Sequence, residues 1–103
     1  MSKGKNSRRL TAEEVERIAA RFKVLGEPMR LRILRAVCEQ PRSVSEIVAE
    51  VGSTQANVSK HLALLRAGGV LTRRREGQRV HYGVRDGLSV KLCDLVRAQL
   101  EDE

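Results

Sequence analysis

Apolar residues recur at helical spacing along the first half of the chain, in segments that end at glycine or proline. The first segment starts at Thr11, where Thr-Ala-Glu-Glu is typical of a capping box, and ends at Gly26. The second starts at Pro28, a residue well suited to a first helical turn, and runs to about Cys38, before Pro41. The pattern therefore predicts two helices, each with one apolar stripe.

Two further helical segments follow at once, with a single tight turn between them. Ser43 is placed to cap a short helix that ends at Gly52, a natural left-handed terminator. Ser53 or Thr54 then caps the next helix, which runs to about Arg66 and stops at a Gly-Gly pair. Two short helices joined by a glycine-containing turn indicate a helix-turn-helix.

The pattern changes to that of strands after the glycine pair. Residues 70–75 and 79–83 predict two strands around a short glycine-containing turn at 76–78. Alternate residues of the second strand are apolar, so we expect one side of the hairpin to pack and the other to stay polar. Because an isolated hairpin is unstable in water, it must rest on the helices.

A last helical segment, capped by Asp86, continues to about Leu100. We therefore expect a mainly α fold with a small β-hairpin, a winged helix-turn-helix of order α-α-α-α-β-β-α, over residues 11–100. Residues 1–10 are interpreted as a flexible basic arm and residues 101–103 as an acidic tail.

Charge and composition narrow the choice of partner. The 103 residues include 20 Lys and Arg against 13 Asp and Glu, a net charge of +7, which favours nucleic acid as the partner over an anionic membrane surface. With two aromatic residues, stacking on single strands is not expected. No apolar run suits a membrane span or a secretory signal, so we predict a cytoplasmic protein without a membrane partner.

Three motifs carry a resemblance to a known family. Leu25 to Leu34 is similar to the L-x-x-P-x-R-L-x-I-L stretch of the ArsR/SmtB family of bacterial repressors. Ser53 to Arg66 resembles that family's recognition helix, and Arg74 to Tyr82 resembles its wing. The resemblance implies a homodimeric repressor that leaves its operator when an inducer binds or a thiol is oxidised.

Base reading and phosphate binding require different residues. Polar side chains at the start of a recognition helix read base edges in the major groove, whereas arginines hold phosphates. The recognition-helix candidates are Ser53, Thr54, Gln55, Ala56, Asn57, Ser59, Lys60 and His61. The wing candidates are Arg73, Arg74, Arg75, Gln78 and Arg79. For His61, the sequence is equally consistent with a buried side chain and with a side chain that contacts a phosphate.

The first and last helices carry apolar stripes with no obvious partner in so small a domain. The family resemblance implies that these two helices form a dimer interface, which would place two recognition helices on successive turns of double-stranded DNA. The alternative is that both helices complete a monomer core. The predicted interface residues are Val15, Ile18, Ala19, Phe22, Leu88, Leu92, Leu95 and Val96.

The metal-ligand patterns of the resembled family are incomplete. Ser43 and Ser45 stand where one pattern has Cys-x-Cys, and hydroxyls are poor ligands for soft ions. Asp86 matches a second pattern, but Leu88 and Gln99 occupy its histidine positions. Carboxylates without imidazole do not build a tetrahedral zinc site, so we predict no metal and no cofactor.

The cysteines leave several readings open. Cys38 and Cys93 lie on the second and last helices, the two that carry the thiol pair in some members of the resembled family. Both stand on or beside apolar stripes, where cysteine usually acts as a small hydrophobe. A redox or persulfide-sensing pair is the second reading, and a soft ion such as As(III) or Cu(I) is the third.

No arrangement of nucleophile, base and paired carboxylates suggests catalysis, and we predict that the protein is not an enzyme. The rival to a DNA-binding regulator is a winged-helix module that binds a protein or an anionic surface. That rival explains the basic charge as well, but it does not explain the polar face of the fourth helix.

Overall fold

A computed structural model describes residues 9–103 of the chain, so most of the predicted basic arm lies outside the described residues. The elements in chain order are α1 (Ala12–Leu25), α2 (Pro28–Val37), α3 (Val44–Val51), α4 (Gln55–Ala67), β1 (Leu71–Glu76), β2 (Arg79–Val84) and α5 (Leu88–Glu101). This order confirms the mainly α fold with a single hairpin.

Local sequence fixes the starts of α1 and α3. The backbone N–H of Glu14 donates to Oγ1 of Thr11 at 3.0 Å, and the backbone N–H of Thr11 donates to Oε1 of Glu14 at 2.9 Å. Ser43 and Glu46 repeat this reciprocal pair on α3, which adds a second capping box to the one predicted. The donated hydrogen bond from Ser43 lowers the pKa of the Glu46 carboxyl.

The turn between α3 and α4 follows the sequence prediction. Gly52 adopts a left-handed conformation with φ 69° and ends α3. Of the two residues proposed to cap α4, Thr54 has that role, since its hydroxyl accepts the backbone N–H of Asn57 at 3.1 Å. The short turn holds α4 close to α3, which is the geometry of a helix-turn-helix.

The two ends of α5 differ from the prediction. Gly87 is the N-cap residue and makes no side-chain cap, whereas Asp86 lies one position earlier and accepts the Leu88 N–H at 3.0 Å. Asp86 therefore satisfies the first amide of α5 without being its cap. The helix continues to Glu101, whose carboxylate is 3.5 Å from Arg97, so this residue belongs to the helix and not to an acidic tail.

The core lies between α2, α3, α4 and the base of the hairpin. Its buried residues are Leu25, Ile33, Leu34, Val37, Ile47, Val58, Leu62, Leu65, Val70 and Leu71. α5 contributes partly buried apolar side chains to the edge of this core, together with the buried Ser89. The radius of gyration is 15.7 Å, against about 13 Å for a compact domain of this length. The single chain is therefore more extended than a compact domain of the same length.

The hairpin pairs Leu71 with Val84 and Glu76 with Arg79, which leaves two residues in the turn. The expectation of one packed and one polar side is wrong for β2, because Gly83 is buried. A Cβ at this position would lie 3.3 Å from Cγ of Pro41, so glycine allows the preceding loop to approach the strand. That loop covers the second side, a tertiary contact that alternation along the strand does not reveal.

Candidate nucleic-acid interface

The polar face of α4 points away from the core. Val58, Leu62 and Leu65 are at most 1% exposed and fix the orientation of the helix. The predicted recognition residues that are exposed on the opposite side are Thr54, Gln55, Ala56, Ser59 and Lys60. Packing of one side of α4 therefore presents amide, hydroxyl and ammonium groups together at its N-terminal end, the arrangement that suits entry into a major groove.

Two recognition candidates are half-buried and bonded to each other. The side-chain amide of Asn57 donates to the hydroxyl of Ser53 at 3.0 Å. The backbone N–H of Asn57 also donates to the hydroxyl of Thr54. The turn between α3 and α4 therefore holds both the backbone and the side chain of Asn57. The pair of Asn57 and Ser53 shapes the N-terminal end of the helix, and the exposed polar residues beside it are Thr54, Gln55, Ser59 and Lys60.

His61 is not on this exposed face. Its side chain is buried at 6% exposure, with Nδ1 at 3.2 Å from Nη1 of Arg30. Arginine has no acceptor, so the guanidinium donates and the imidazole accepts. Position 61 follows Val58 by three residues and shares its core-facing side. Of the two readings left open, the structure supports the buried histidine.

Arg30 is a residue whose position the sequence reasoning did not identify. Its Nε donates to the carbonyl of Val24 at 2.6 Å, and its Nη2 donates to that of Lys23 at 3.4 Å. These are carbonyls of the last turn of α1, where a positive charge is favourable. Together with the His61 contact, Arg30 joins the end of α1, the start of α2 and the core side of α4.

The wing is a basic, exposed hairpin. All five predicted wing residues are exposed, Arg73, Arg74, Arg75, Gln78 and Arg79. The two ion pairs found among residues 9–103 both involve α5, and neither includes a wing arginine. A cleft separates the wing turn from the start of α3, with Ser43 and Ser45 on one wall and Gln78 and Arg79 on the other. Positive charge therefore lies on the wing side of the cleft, at Arg79, whereas the α3 side offers hydroxyl groups and the carboxylate of Glu46.

The apolar stripes of α1 and α5 stay exposed. Phe22 is 57% exposed, Leu95 67% and Val96 58%. The other predicted interface residues are also exposed except Leu92, which is half-buried against the core. The stripes are thus not absorbed by the core of one chain, which is what the alternative of a completed monomer core would require.

The structure brings the two cysteines to one cavity. A cavity of about 320 Å³ lies between α2 and α5, and both Cys38 and Cys93 line it. Both side chains are half-buried, and neither forms a disulfide. Burial raises the pKa of the Cys93 thiol, and the negative charge of Asp94 raises it further. A raised pKa leaves less thiolate near neutral pH and makes Cys93 a poor nucleophile.

Residues 9–103 contain no group of three or more His, Cys, Asp or Glu side chains placed to hold a metal ion. In the same part of the chain, no helix has both the length and the apolar character needed to cross a membrane. Ser43 and Ser45 lie close, with their hydroxyl oxygens 3.2 Å apart.

Comparison with known proteins agrees with this architecture. Residues 27–73, which include α2 to α4 and the start of β1, match the family model described as bacterial regulatory protein, arsR family. The HTH-type transcriptional regulator CmtR of Mycobacterium bovis is 37% identical over 93 residues, which cover 88% of this chain and 79% of that protein. A probable mercury resistance operon repressor of Streptomyces lividans is 33% identical over 81 residues, covering 79% of this chain and 65% of the repressor.

The chain spans only 56% of the length of another curated relative that it matches. Among solved structures, a homodimeric winged helix-turn-helix DNA-binding domain of Mycobacterium bovis superimposes with a TM-score of 0.81 at 28% identity. That match covers 89% of this chain and 85% of the other. Fold, motifs and relatives agree on transcriptional regulators and not on enzymes. The chain belongs to the ArsR family of bacterial transcriptional regulators, with a winged helix-turn-helix DNA-binding fold.

Proposed function

We propose that the protein is a homodimeric repressor that binds operator DNA through α4 and the wing and leaves it when an inducer binds. One observation carries the proposal: the exposed polar face of α4 lies on the same chain as an arginine-rich wing and two uncovered apolar stripes. Residues 11–100 form the DNA-binding and dimerisation unit, with residues 1–10 as a basic arm.

The two sets of polar residues have different tasks in this proposal. Gln55, Ser59 and Lys60 project from α4 and contact base edges, which gives sequence preference. The wing arginines neutralise phosphates, which gives affinity for any duplex and a steep dependence on salt. Asn57 and Ser53 hold the end of α4 in shape, and His61 supports α4 from the core.

Dimerisation would cover the exposed stripes of α1 and α5. A two-fold dimer buries the same patch on both copies and sets its two recognition helices about one helical turn of DNA apart. The homodimeric state of the superimposed Mycobacterium bovis domain supports this assembly. The name of the Streptomyces relative supports repression as the consequence of operator binding.

Salt-dependent DNA binding tests the proposal. Lys60→Ala and Arg74→Ala each remove one exposed positive charge, so they are matched in charge. We expect Lys60→Ala to reduce the preference for promoter DNA over a scrambled duplex. We expect Arg74→Ala to weaken binding to both duplexes and to reduce the salt slope by about 1. Lys91→Ala, an exposed charge on α5, is the control.

Fluorescence anisotropy at several salt concentrations separates these outcomes. Identical effects of Lys60→Ala and Arg74→Ala would refute the division between base contacts and phosphate contacts. Weak binding to promoter DNA, scrambled DNA and heparin alike would favour the rival interaction module instead.

A second candidate concerns the signal. The shared cavity of Cys38 and Cys93 favours a thiol pair as the sensor, and the raised pKa of Cys93 speaks against it. Cys38→Ser and Cys93→Ser decide between a sensor and packing residues. If the cysteines only pack, both variants release operator DNA at the same inducer or oxidant concentration as the parent. Loss of release in either variant would reject the packing role and leave the thiol pair and the soft ion as the two sensing readings.

A further inference from the structure

The cavity between α2 and α5 has the composition of a ligand site. Its volume of about 320 Å³ is at the small end of the range for small-molecule pockets. Leu31, Leu34 and Val90 supply an apolar wall. The charged residues that line it are Arg32, Arg35, Arg97 and Asp94. An apolar interior with convergent charged groups is the usual pattern of a site for a small organic molecule.

The cavity and the apolar stripe lie on different faces of α5. Val90, Cys93 and Arg97 face the cavity, whereas Leu88, Leu92, Leu95 and Val96 form the stripe. At 100° per residue, the centres of the two faces are separated by about 150°. Leu31, Cys93 and Arg97 also line a neighbouring groove that contains Phe22, Leu92 and Val96, so a second copy packed on the stripe would border the cavity.

The charges around the cavity favour an anion. Three guanidinium groups and one carboxylate line the cavity: Arg32 is in neither ion pair found among residues 9–103, Arg97 Nε lies 3.5 Å from Glu101 Oε2, and Arg35 Nη1 lies 3.5 Å from Asp94 Oδ1. Both partners of this pair are more than half exposed, so water screens it and a competing carboxylate can replace Asp94. Guanidinium groups bind carboxylates through two parallel hydrogen bonds, a geometry that a ligand carboxylate can reproduce.

We propose that this cavity binds a small amphipathic carboxylate, with its apolar chain against Leu34 and Val90 and its carboxylate at Arg35. The ligand takes the place of Asp94 on Arg35 and so removes an ion pair that joins α2 to α5. The binding site stands without the DNA function, whereas its use as the inducer site rests on the proposed function. As an inducer, the ligand would oppose operator DNA, and each would weaken the other's binding by the same factor.

Octanoate is the probe, and 1-octanol is its neutral counterpart of equal chain length. Calorimetric titration of the full chain should give octanoate an affinity about tenfold or more above that of 1-octanol. Arg35→Gln and Asp94→Asn both remove the ion pair, but they affect the site in opposite ways. Arg35→Gln should weaken octanoate about tenfold, whereas Asp94→Asn should leave it unchanged or strengthen it. Lys91→Gln, an exposed charge outside the cavity, should change nothing.

Several results would overturn the inference. One is that octanoate does not bind even at a concentration of about 10 mM, because a specific site should have a Kd below this value. Another is a parallel loss in Arg35→Gln and Asp94→Asn, because then the ion pair only supports the fold. Equal affinity for octanoate and 1-octanol would show that no anion is recognised.

The coupling has its own measurement. Octanoate should weaken operator binding by the same factor by which operator DNA weakens octanoate binding. Octanoate bound with unchanged operator affinity refutes the inducer role. If the protein does not bind operator DNA before octanoate is added, the proposed function is refuted. The calorimetric titration still shows whether the cavity binds octanoate.

Discussion

Phe22→Ala is the substitution that tests the proposed dimer most directly. Phe22 is 57% exposed and lies at the C-terminal end of the apolar stripe of α1. An aromatic side chain has about 200 Å² to bury, so dimerisation would cover about 110 Å² at this residue. At about 25 cal/mol per Å², and with part of that area kept by alanine, the loss is about 2 kcal/mol per copy.

Both copies lose this contact in a symmetric dimer. The total of about 4 kcal/mol corresponds to a dimer Kd raised about a thousandfold. Leu64→Ala is the control, because Leu64 is an exposed apolar side chain, 45% accessible, on α4 and outside both stripes. It should leave the Kd unchanged.

Sedimentation equilibrium over nanomolar to micromolar concentration measures both values, and a thermal unfolding scan confirms that the variants fold. A Phe22→Ala protein with the parental Kd would refute the assignment of α1 to the interface. A parent protein that stays monomeric at micromolar concentration would refute the dimer itself.

Three further predictions concern stability and reactivity. Gly52→Ala should lower the free energy of unfolding by about 1–2 kcal/mol, because φ is 69° there, whereas Gly87→Ala, at φ −81°, should be nearly neutral in thermal unfolding. The backbone N–H of Arg30 donates to the Glu27 carboxylate and holds its pKa below the usual 4.5. The parent protein should therefore melt at a higher temperature than Glu27→Gln above pH 4.5, and this difference in melting temperature should shrink as the pH falls below 4.5. In a Cys38→Ser background, iodoacetamide should label Cys93 more slowly at pH 7.5 in the folded protein than in guanidinium, since burial raises its pKa, and equal rates would contradict this.

Arg30 and His61 connect α1, α2 and α4 and fix the positions of these helices relative to each other. The guanidinium of Arg30 holds the carbonyl of Val24 at the end of α1 and the imidazole of His61 on the core side of α4. α1 carries an exposed apolar stripe, which is the proposed dimer interface, and α4 carries the candidate base contacts, so one side chain links the two surfaces. A dimer that reads two half-sites needs such a fixed distance between its helices.

The local sequence determined most of the secondary structure. The capping box at Thr11, the proline at position 28 and the left-handed Gly52 each act within a few residues, so helix starts and stops could be predicted from spacing alone. The separation of α4 into an apolar and a polar side was predictable for the same reason, because helical periodicity is a local property.

Tertiary packing decided what periodicity could not. The burial of His61 depends on Arg30, which is 31 residues away along the chain. The cover over Gly83 depends on the loop at Pro41, and the shared cavity of Cys38 and Cys93 depends on how α5 lies across α2. Each is a contact between segments that are distant in sequence, and the packing of the whole core sets their relative positions. Such contacts cannot be predicted from the residues that neighbour a side chain in sequence.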